Sequence, residues 1–453
     1  MLRWLYDLGF LTFGLVSLPH FLGRIGQAED RGRLIRERFG IFPKEIREEF
    51  ANARPLWIHC VSVGEVLAVE KLLELFRRNR PGQSIVLTTV TPTGQQIAKK
   101  WETEFLKVIY FPFDLGFVVR RFFDAIQPAA LFLVETEIWP NVIEEAHRRG
   151  VPVGVVNGRL SERSFRSFQR FGSLFRPVIS AVDFFLVQTK RDREKWMALG
   201  VNPDKVQVTG NMKLDAFTLN GQWEKDRSAL RGKFGWGPEK ILIGGSTHPG
   251  EEEILLRAFR RLHDEGLNLK LILAPRHIER SGKILEKVKK AGFEGRLASR
   301  GASMWAPAPN VKFELGGHAG PPLQSNFDVL ILDKLGELRN LYAVADAVFV
   351  GGSLVRHGGQ NPVEPAACRR AIVHGPWVFN FEELYRKLDE EKGSIQVKGE
   401  EELVVTLRQL LGNDRESTFL GNHAFEILKK LQGASERNFS LIEEKIGEKY
   451  EIR

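Results

Sequence analysis

The sequence predicts an α/β protein of two nucleotide-binding-type domains, each a parallel sheet covered by helices and the two facing across a cleft. Three observations predict it. Short β-rich apolar runs alternate with amphipathic helical stretches. That rhythm breaks once, over residues 211–238, and then resumes as a second series. The chain of 453 residues, 43% hydrophobic and 27% charged, is too long for one compact core yet globular in composition.

In the first series PLWIHCVSV, SIVLTTV, LKVIYFPF, ALFLVET, PVGVVNG, DFFLVQT and KVQVTG read as strands. Leu67 to Arg78, Gly94 to Thr103 and Asn141 to Arg149 read as helices between them. The polar run Asn211 to Pro238, with Gly221, Gly232, Gly235 and Gly237, reads as a linker. In the second series KILIGGST, KLILAP, DVLIL, AVFVGG and AIVHG are strands. Ala298 to Asn326 is Pro/Gly-rich and weakly patterned, a surface loop or insertion. Glu416 to Lys449 is one helical pattern, placed to pack back on the first domain. The expected division is 1–22 as a membrane anchor, 23–215 and 216–425 as the two domains, and 426–453 as the returning helix.

Leu8 to Pro19 carries no charge, and extending it outward to Met1 and Leu22 adds only Arg3, Asp7 and His20 among acidic, basic and histidine side chains. A full span needs about 20 apolar residues. No small-residue cleavage site follows, so the stretch reads as an uncleaved anchor that spans the bilayer or lies in one leaflet. The competing reading is a buried first helix. Arg24, Arg31, Arg33, Arg36 and Arg38 follow, an excess that holds the C-terminal side in the cytoplasm. The formal net charge of +9 suits nucleic acid, an anionic membrane or an anionic small substrate without choosing among them. Cys60 and Cys368 lie far apart, which argues against a disulfide framework or a cysteine zinc site.

The chemistry-bearing residues cluster where strands end, which is where open α/β sheets bind ligands. In HCVSVGEV, Gly64 permits a tight turn and Glu65 opens a helix. Glu65 reads either as a proton acceptor for a hydroxyl or as a carboxylate complementing the helix dipole. In LVETEIWPN, Glu135 and Glu137 share a face if the strand continues, and one of them near Glu65 makes an acidic pair. The alternative is a polar turn. In VTGNMKLD, Lys213 is either a cation for developing negative charge or a solvated side chain.

The second domain offers GGSTHPGEEE, whose helix start suits an anion or simple capping, and APRHIER, with Pro275, Arg276 and His277 at a strand end. Gly336 and Glu337 open a helix in DKLGELRNLY, and GGSLVRHGGQNPVEPAA sets Asn361 and Glu364 before another, Glu364 suiting ribose hydroxyls. In SERSFRSFQRFGSLFR, Phe165, Phe168, Phe171 and Phe175 alternate with Arg163, Arg166, Arg170 and Arg176. That pattern suits an anionic lipid surface, single-stranded nucleic acid, or a helix with its phenylalanines in the core.

WIHCVSVGEV, TTVTPTG, ETEIWPN, VNGRLSERS, VTGNMKLD, APRHIER, GELRNLYAVADAVFVGGS and GGQNPVEPAA occur in an order that resembles the bacterial Kdo (3-deoxy-D-manno-octulosonic acid) transferases over nearly the whole chain. The resemblance implies a GT-B fold, no metal or other cofactor, a CMP-Kdo donor, a lipid A precursor (lipid IVA) as acceptor, and inversion at the anomeric carbon. It implies Glu65 as the base, with Glu135 and Lys213 stabilising the transition state. It further implies CMP contacts from Pro275, Arg276, Leu335, Gly336, Glu337, Asn361, Pro362, Val363 and Glu364. Lipopolysaccharide biosynthesis at the cytoplasmic face of the inner membrane follows as an expectation, with an anionic membrane surface as partner and nucleic acid excluded.

The sequence departs from the family at Cys60, where a small aliphatic residue is commoner, at Lys334 and Leu335, where a hydroxyl and methionine are, and at Gln360, which replaces a usual histidine. The 298–326 loop is longer than typical. Two other readings remain: a GT-B transferase for another nucleotide sugar, and a basic membrane- or nucleic-acid-binding protein. The second leaves the carboxylates at strand ends unexplained.

Overall fold

The computed structural model describes residues 6–12, 30–217, 227, 230–232, 234–300, 327–334 and 336–447. The chain divides into two compact units, residues 1–216 with 431–453, and residues 217–430.

The first unit holds seven parallel strands: β1 Leu56–Cys60, β2 Ile85–Thr89, β3 Leu106–Tyr110, β4 Ala130–Val134, β5 Val153–Gly158, β6 Phe184–Val187 and β7 Val206–Val208. Their order is β3-β2-β1-β4-β5-β6-β7. Helices cover both faces, so β1, β2, β4, β5 and β6 are buried at every position and read as continuous apolar runs. Alternation still sorts the side chains: Trp57 joins one core cluster with Leu131 and Leu133, while Leu56 and Ile58 join the other with Phe132 and Val134. The winding reverses between β1 and β4. The crevice beyond their carboxyl ends is this unit's topological switch point.

The second unit repeats the plan with β8 Lys240–Thr247, β9 Leu269–Pro275, β10 Gly295–Leu297, β11 Val329–Ile331, β12 Ala347–Val350, β13 Ala371–His374 and β14 Ser394–Gln396. All pairs are parallel in the order β10-β11-β9-β8-β12-β13-β14, so the switch falls between β8 and β12. Strands β10 and β14, three residues each, are edge strands that no apolar run announced.

Three sequence expectations change. The pattern from Glu416 to Lys449 is two helices, Asp414–Leu431 and Ala434–Gly447, because Gly433 takes φ +85° between them. The second packs on the Val63–Asn79 helix through Phe439 and Phe76, ring centroids 5.1 Å apart, and through an Arg80–Glu443 ion pair at 2.7 Å. The Phe/Arg stretch is likewise two helices, Glu162–Arg170 and Gly172–Ser180. Phe165, Phe168 and Phe175 pack on the core, while Phe171 and the four arginines stay exposed. The linker region holds a 3-10 turn, Met212–Leu214, before residues 218–226, which lie outside the described residues.

Residues 6–12 are helical; the rest of the expected anchor, 1–5 and 13–22, lies outside the described residues, as does 301–326 of the long loop. Among the described residues no helix is long and apolar enough to cross a membrane. Neither Cys60 nor Cys368 is in a disulfide, and Cys60 is buried.

Candidate active site

β1 ends at Cys60, and the chain turns through Val61 and Ser62 into the Val63–Asn79 helix. Glu65, in its first turn, is 8% exposed. Its carboxylate curls back on the strand end: Oε2 accepts the Val61 N–H at 2.7 Å and Oε1 the Ser62 hydroxyl at 3.0 Å. Burial pushes its pKa up to about 6. The Val61 and Ser62 hydrogen bonds and Lys213 pull down, and Glu135 pushes up.

β4 ends across the switch point from β1, at Val134. Glu135 and Glu137 do not share a strand face as expected. The strand stops before them and Glu135 takes a left-handed φ of +63°, which breaks the alternation. The Glu135 N–H donates to Val156 O at 3.0 Å, and its Oε1 pairs with Lys213 Nζ at 2.5 Å. Lys213 rises from the Met212–Leu214 turn and is held by that pair, not free in solvent. A Cβ on Gly64 would stand 3.9 Å from Lys213 Nζ, so the residue before Glu65 abuts the ammonium group.

Glu137 belongs to the same acidic group. Burial, then the Glu65 carboxylate, push its pKa up to about 8, with Trp139 opposing and Glu135 adding. The structure therefore brings three carboxylates and one lysine together beyond β1 and β4. Such a set holds one carboxylate ready to take a proton near neutral pH, with a cation beside it to offset the charge.

Two supporting residues carried no signal of their own in the sequence. Asn157, fully buried with φ +51°, accepts the Met212 N–H on Oδ1 at 2.9 Å and so pins the turn that carries Lys213. Its Nδ2 has no partner among the described residues. The run VNG points to it only weakly, since asparagine tolerates a left-handed backbone. Asp114, also fully buried, accepts N–H bonds from Asn141 at 3.2 Å and Val142 at 3.0 Å and the Tyr6 hydroxyl at 2.8 Å. It thus fixes the start of the Pro140–Arg148 helix, at the end of ETEIWPN. Burial lifts its carboxyl to about 7 against those three bonds, with Asp7 adding. A carboxylate capping a helix 27 residues on has no local signature.

In the second unit Pro275 closes β9 opposite Thr247, and the Arg276 N–H donates to Thr247 O at 3.0 Å while its side chain is exposed. Gly336 takes φ +85° just before Glu337, whose carboxyl burial raises and Lys334 restrains. Leu335 lies outside the described residues. Asn361 Oδ1 accepts the Val363 N–H at 3.0 Å across Pro362, at the start of the Val363–Ala367 helix. Burial raises the Glu364 pKa and Arg339 opposes it. The glycine-rich loop after β12 is held from within. Buried Glu251 accepts N–H bonds from His248, Gly352, Ser353 and Leu354, so a carboxylate from the helix after β8 holds that loop in place.

The family model for 3-deoxy-D-manno-octulosonic-acid transferase matches residues 33–216, the segment that carries Glu65, Glu135 and Lys213. A Haemophilus influenzae 3-deoxy-D-manno-octulosonic acid transferase is 33% identical over 437 residues, 93% of this chain and 94% of that protein. An Aquifex aeolicus protein of the same description is 31% identical over 378 residues, 83% of this chain and 90% of that one. Among solved structures, a UDP-GlcNAc 2-epimerase from Neisseria meningitidis, bound to UDP-GlcNAc, superposes with a TM-score of 0.57 at 11% identity, covering 86% of this chain and all of its own. Anabaena HepE in complex with UDP gives the same TM-score, identity and coverage. These likenesses carry the GT-B-like fold of two parallel-sheet α/β domains and nothing more. On identity across nearly its full length, the chain belongs to the 3-deoxy-D-manno-octulosonic acid transferase family.

Proposed function

We propose that this Kdo transferase moves Kdo from CMP-Kdo onto a hydroxyl of a lipid A precursor, with inversion and without a metal, at the cytoplasmic face of the bacterial inner membrane. The observation that carries the reading is the first unit's carboxylate–lysine group. Glu65, with a pKa near 6, is largely ionised at neutral pH and hydrogen-bonded on both oxygens. It takes the acceptor's hydroxyl proton as the oxygen bonds to the anomeric carbon. The bond from that carbon to the phosphate oxygen breaks, and CMP leaves with the electron pair. Lys213, paired to Glu135, offsets the negative charge gathered there.

The second unit is the donor side in this reading. Arg276 meets the phosphate. Asn361, Pro362, Val363 and Glu364 present a helix start and a carboxylate to the nucleotide, and Pro275, Gly336 and Glu337 contact it as well, with Leu335 added by the family resemblance alone. Residues 1–22 anchor the protein. Exposed Leu8 and Leu11 on the 6–12 helix, and the exposed arginines of 163–176, support an anionic membrane as the partner surface.

The test is transfer from CMP-Kdo, generated in the same tube, to a lipid A precursor in detergent, with products read by mass spectrometry. A gain of one or more Kdo masses supports the reading and counts the sugars. Folded protein that binds CMP but yields no product overturns the acceptor assignment.

A further inference from the structure

The second unit's switch point lies between β8 and β12, and three histidines meet there. His248 follows β8 and is 7% exposed. The His357 ring stacks on it with centroids 4.2 Å apart and planes 17° from parallel. The His277 ring stands edge-on at 6.0 Å. Gly352 makes room beneath: a Cβ there would lie 3.3 Å from both His248 Cδ2 and Gln360 Nε2.

Gln360 sets the tautomer. Its Nε2 meets His248 Nε2 at 3.3 Å, and an amide nitrogen only donates. With the amide nitrogen facing the ring, His248 Nε2 accepts and the ring proton sits on Nδ1. That Nδ1–H has no partner among the described residues.

Positive charge surrounds the ring while the nearby acids are engaged. Glu251 is spent on four backbone N–H groups. Glu252 accepts hydrogen bonds from the two terminal Arg280 nitrogens, at 3.0 and 2.9 Å, and from the Thr247 hydroxyl at 2.8 Å. Glu279 stands beside His277 at 3.6 Å. Arg276 makes no ion pair among the described residues. Burial, followed by His357, His277, Arg280 and Arg276, holds His248 neutral, its pKa lowered to about 4.

We propose that His248, presenting Nδ1–H and backed by His357 and Arg276, is a subsite for a phosphate or carboxylate anion of the donor, with Gln360 as the positioning residue that fixes its tautomer. This deepens the reading of the second unit as the donor side and rests on it.

The experiment measures affinities of full-length protein for CMP, cytidine and inorganic phosphate, together with the KM for CMP-Kdo, in wild type, His248→Ala and His248→Asn. Asparagine keeps a donor near the Nδ1 position. Loss of a hydrogen bond to an ion is worth roughly ten-fold or more. If the anion is the phosphate, His248→Ala weakens CMP and inorganic phosphate about ten-fold, leaves cytidine unchanged, and His248→Asn recovers most of the loss. If the anion is the sugar carboxylate, CMP is unaffected and the KM for CMP-Kdo rises about ten-fold. An unchanged set, or an equal loss of cytidine binding, overturns the subsite. Failure of wild type to bind any cytidine nucleotide overturns the donor reading instead, and the inorganic phosphate comparison then judges the subsite alone. In ¹⁵N spectra of the free protein, His248 shows the Nδ1–H tautomer and Gln360→Leu shifts it; the Nε2–H tautomer in wild type overturns the role of Gln360.

Discussion

Lys213 Nζ stands 2.5 Å from Glu135 Oε1 and beside Gly64, one residue before Glu65. The ammonium thus ties together the ends of β1 and β4 and the turn after β7. Its charge lowers the Glu65 pKa, against burial and Glu135, which raise it. A base must be ionised to act, so activity climbs as pH rises through that pKa. Lys213→Ala removes the lowering charge and moves the acid limb of kcat/KM to higher pH. It also cuts kcat by roughly a hundred-fold. A pH–rate profile checks both, and an acid limb left in place refutes the coupling.

Glu65→Gln keeps the shape and deletes the base. Transfer falls by roughly a hundred- to ten-thousand-fold, while CMP affinity, a property of the other unit, stays within about two-fold. Single-turnover transfer beside CMP titration separates the two effects.

The same substitution has a stability signature. The folded pKa of Glu65, about 6, lies above the ordinary 4.5, so the folded state holds the proton more tightly than the unfolded one. The resulting cost of ionised Glu65 is absent below the unfolded pKa and complete above about 6, where it reaches about 2 kcal/mol at most. Glu65→Gln therefore stabilises the protein relative to wild type at pH 8 and loses that advantage toward pH 4.5. Paired denaturation curves at the two pH values check the sign.

Asn157→Ala leaves the Met212 N–H without its 2.9 Å acceptor and frees the turn beneath Lys213. The expected stability loss is about 1–3 kcal/mol. A purely structural role ends there. If Asn157 positions Lys213, the acid limb also moves upward, in the same direction as in Lys213→Ala, with KM nearly unchanged.

Local pattern carried most of the fold, and its failures share a cause. Buried parallel strands are continuous apolar runs, so the central strands of both sheets were legible, and the short edge strand β7 was read from KVQVTG, while the edge strands β10 and β14, three residues each, carry no apolar run to mark them. Glu65, Glu135 and Lys213 were legible as strand-end residues. Their meeting was legible only as a conditional acidic pair and through the family resemblance; its geometry was not, because it depends on strand order and on the left-handed turn at Glu135. Glu251 shows the limit from the other side. A glutamate in a helix's first turn reads as dipole complement, yet this one reaches across to three amides of a loop about a hundred residues later.

That loop also explains why glycine stands at 351. A Cβ there would lie 2.5 Å from Ser246 O and 2.6 Å from Thr247 Cα. Both are backbone atoms of β8, so no side-chain rotation relieves the clash and the strand or the loop must move. Gly351→Ala is expected to destabilise the second unit by about 1–3 kcal/mol. Moving the loop pulls Gly352, Ser353 and Leu354 off Glu251, leaving a buried carboxylate short of donors, so the loss grows as pH rises and the carboxylate ionises. CMP affinity falls with it if the loop belongs to the donor site. Melting curves at pH 5 and pH 8 beside CMP titration check this: an equal loss at both pH values traces the damage to the clash alone, and unchanged CMP affinity in a destabilised protein removes the loop from the donor site.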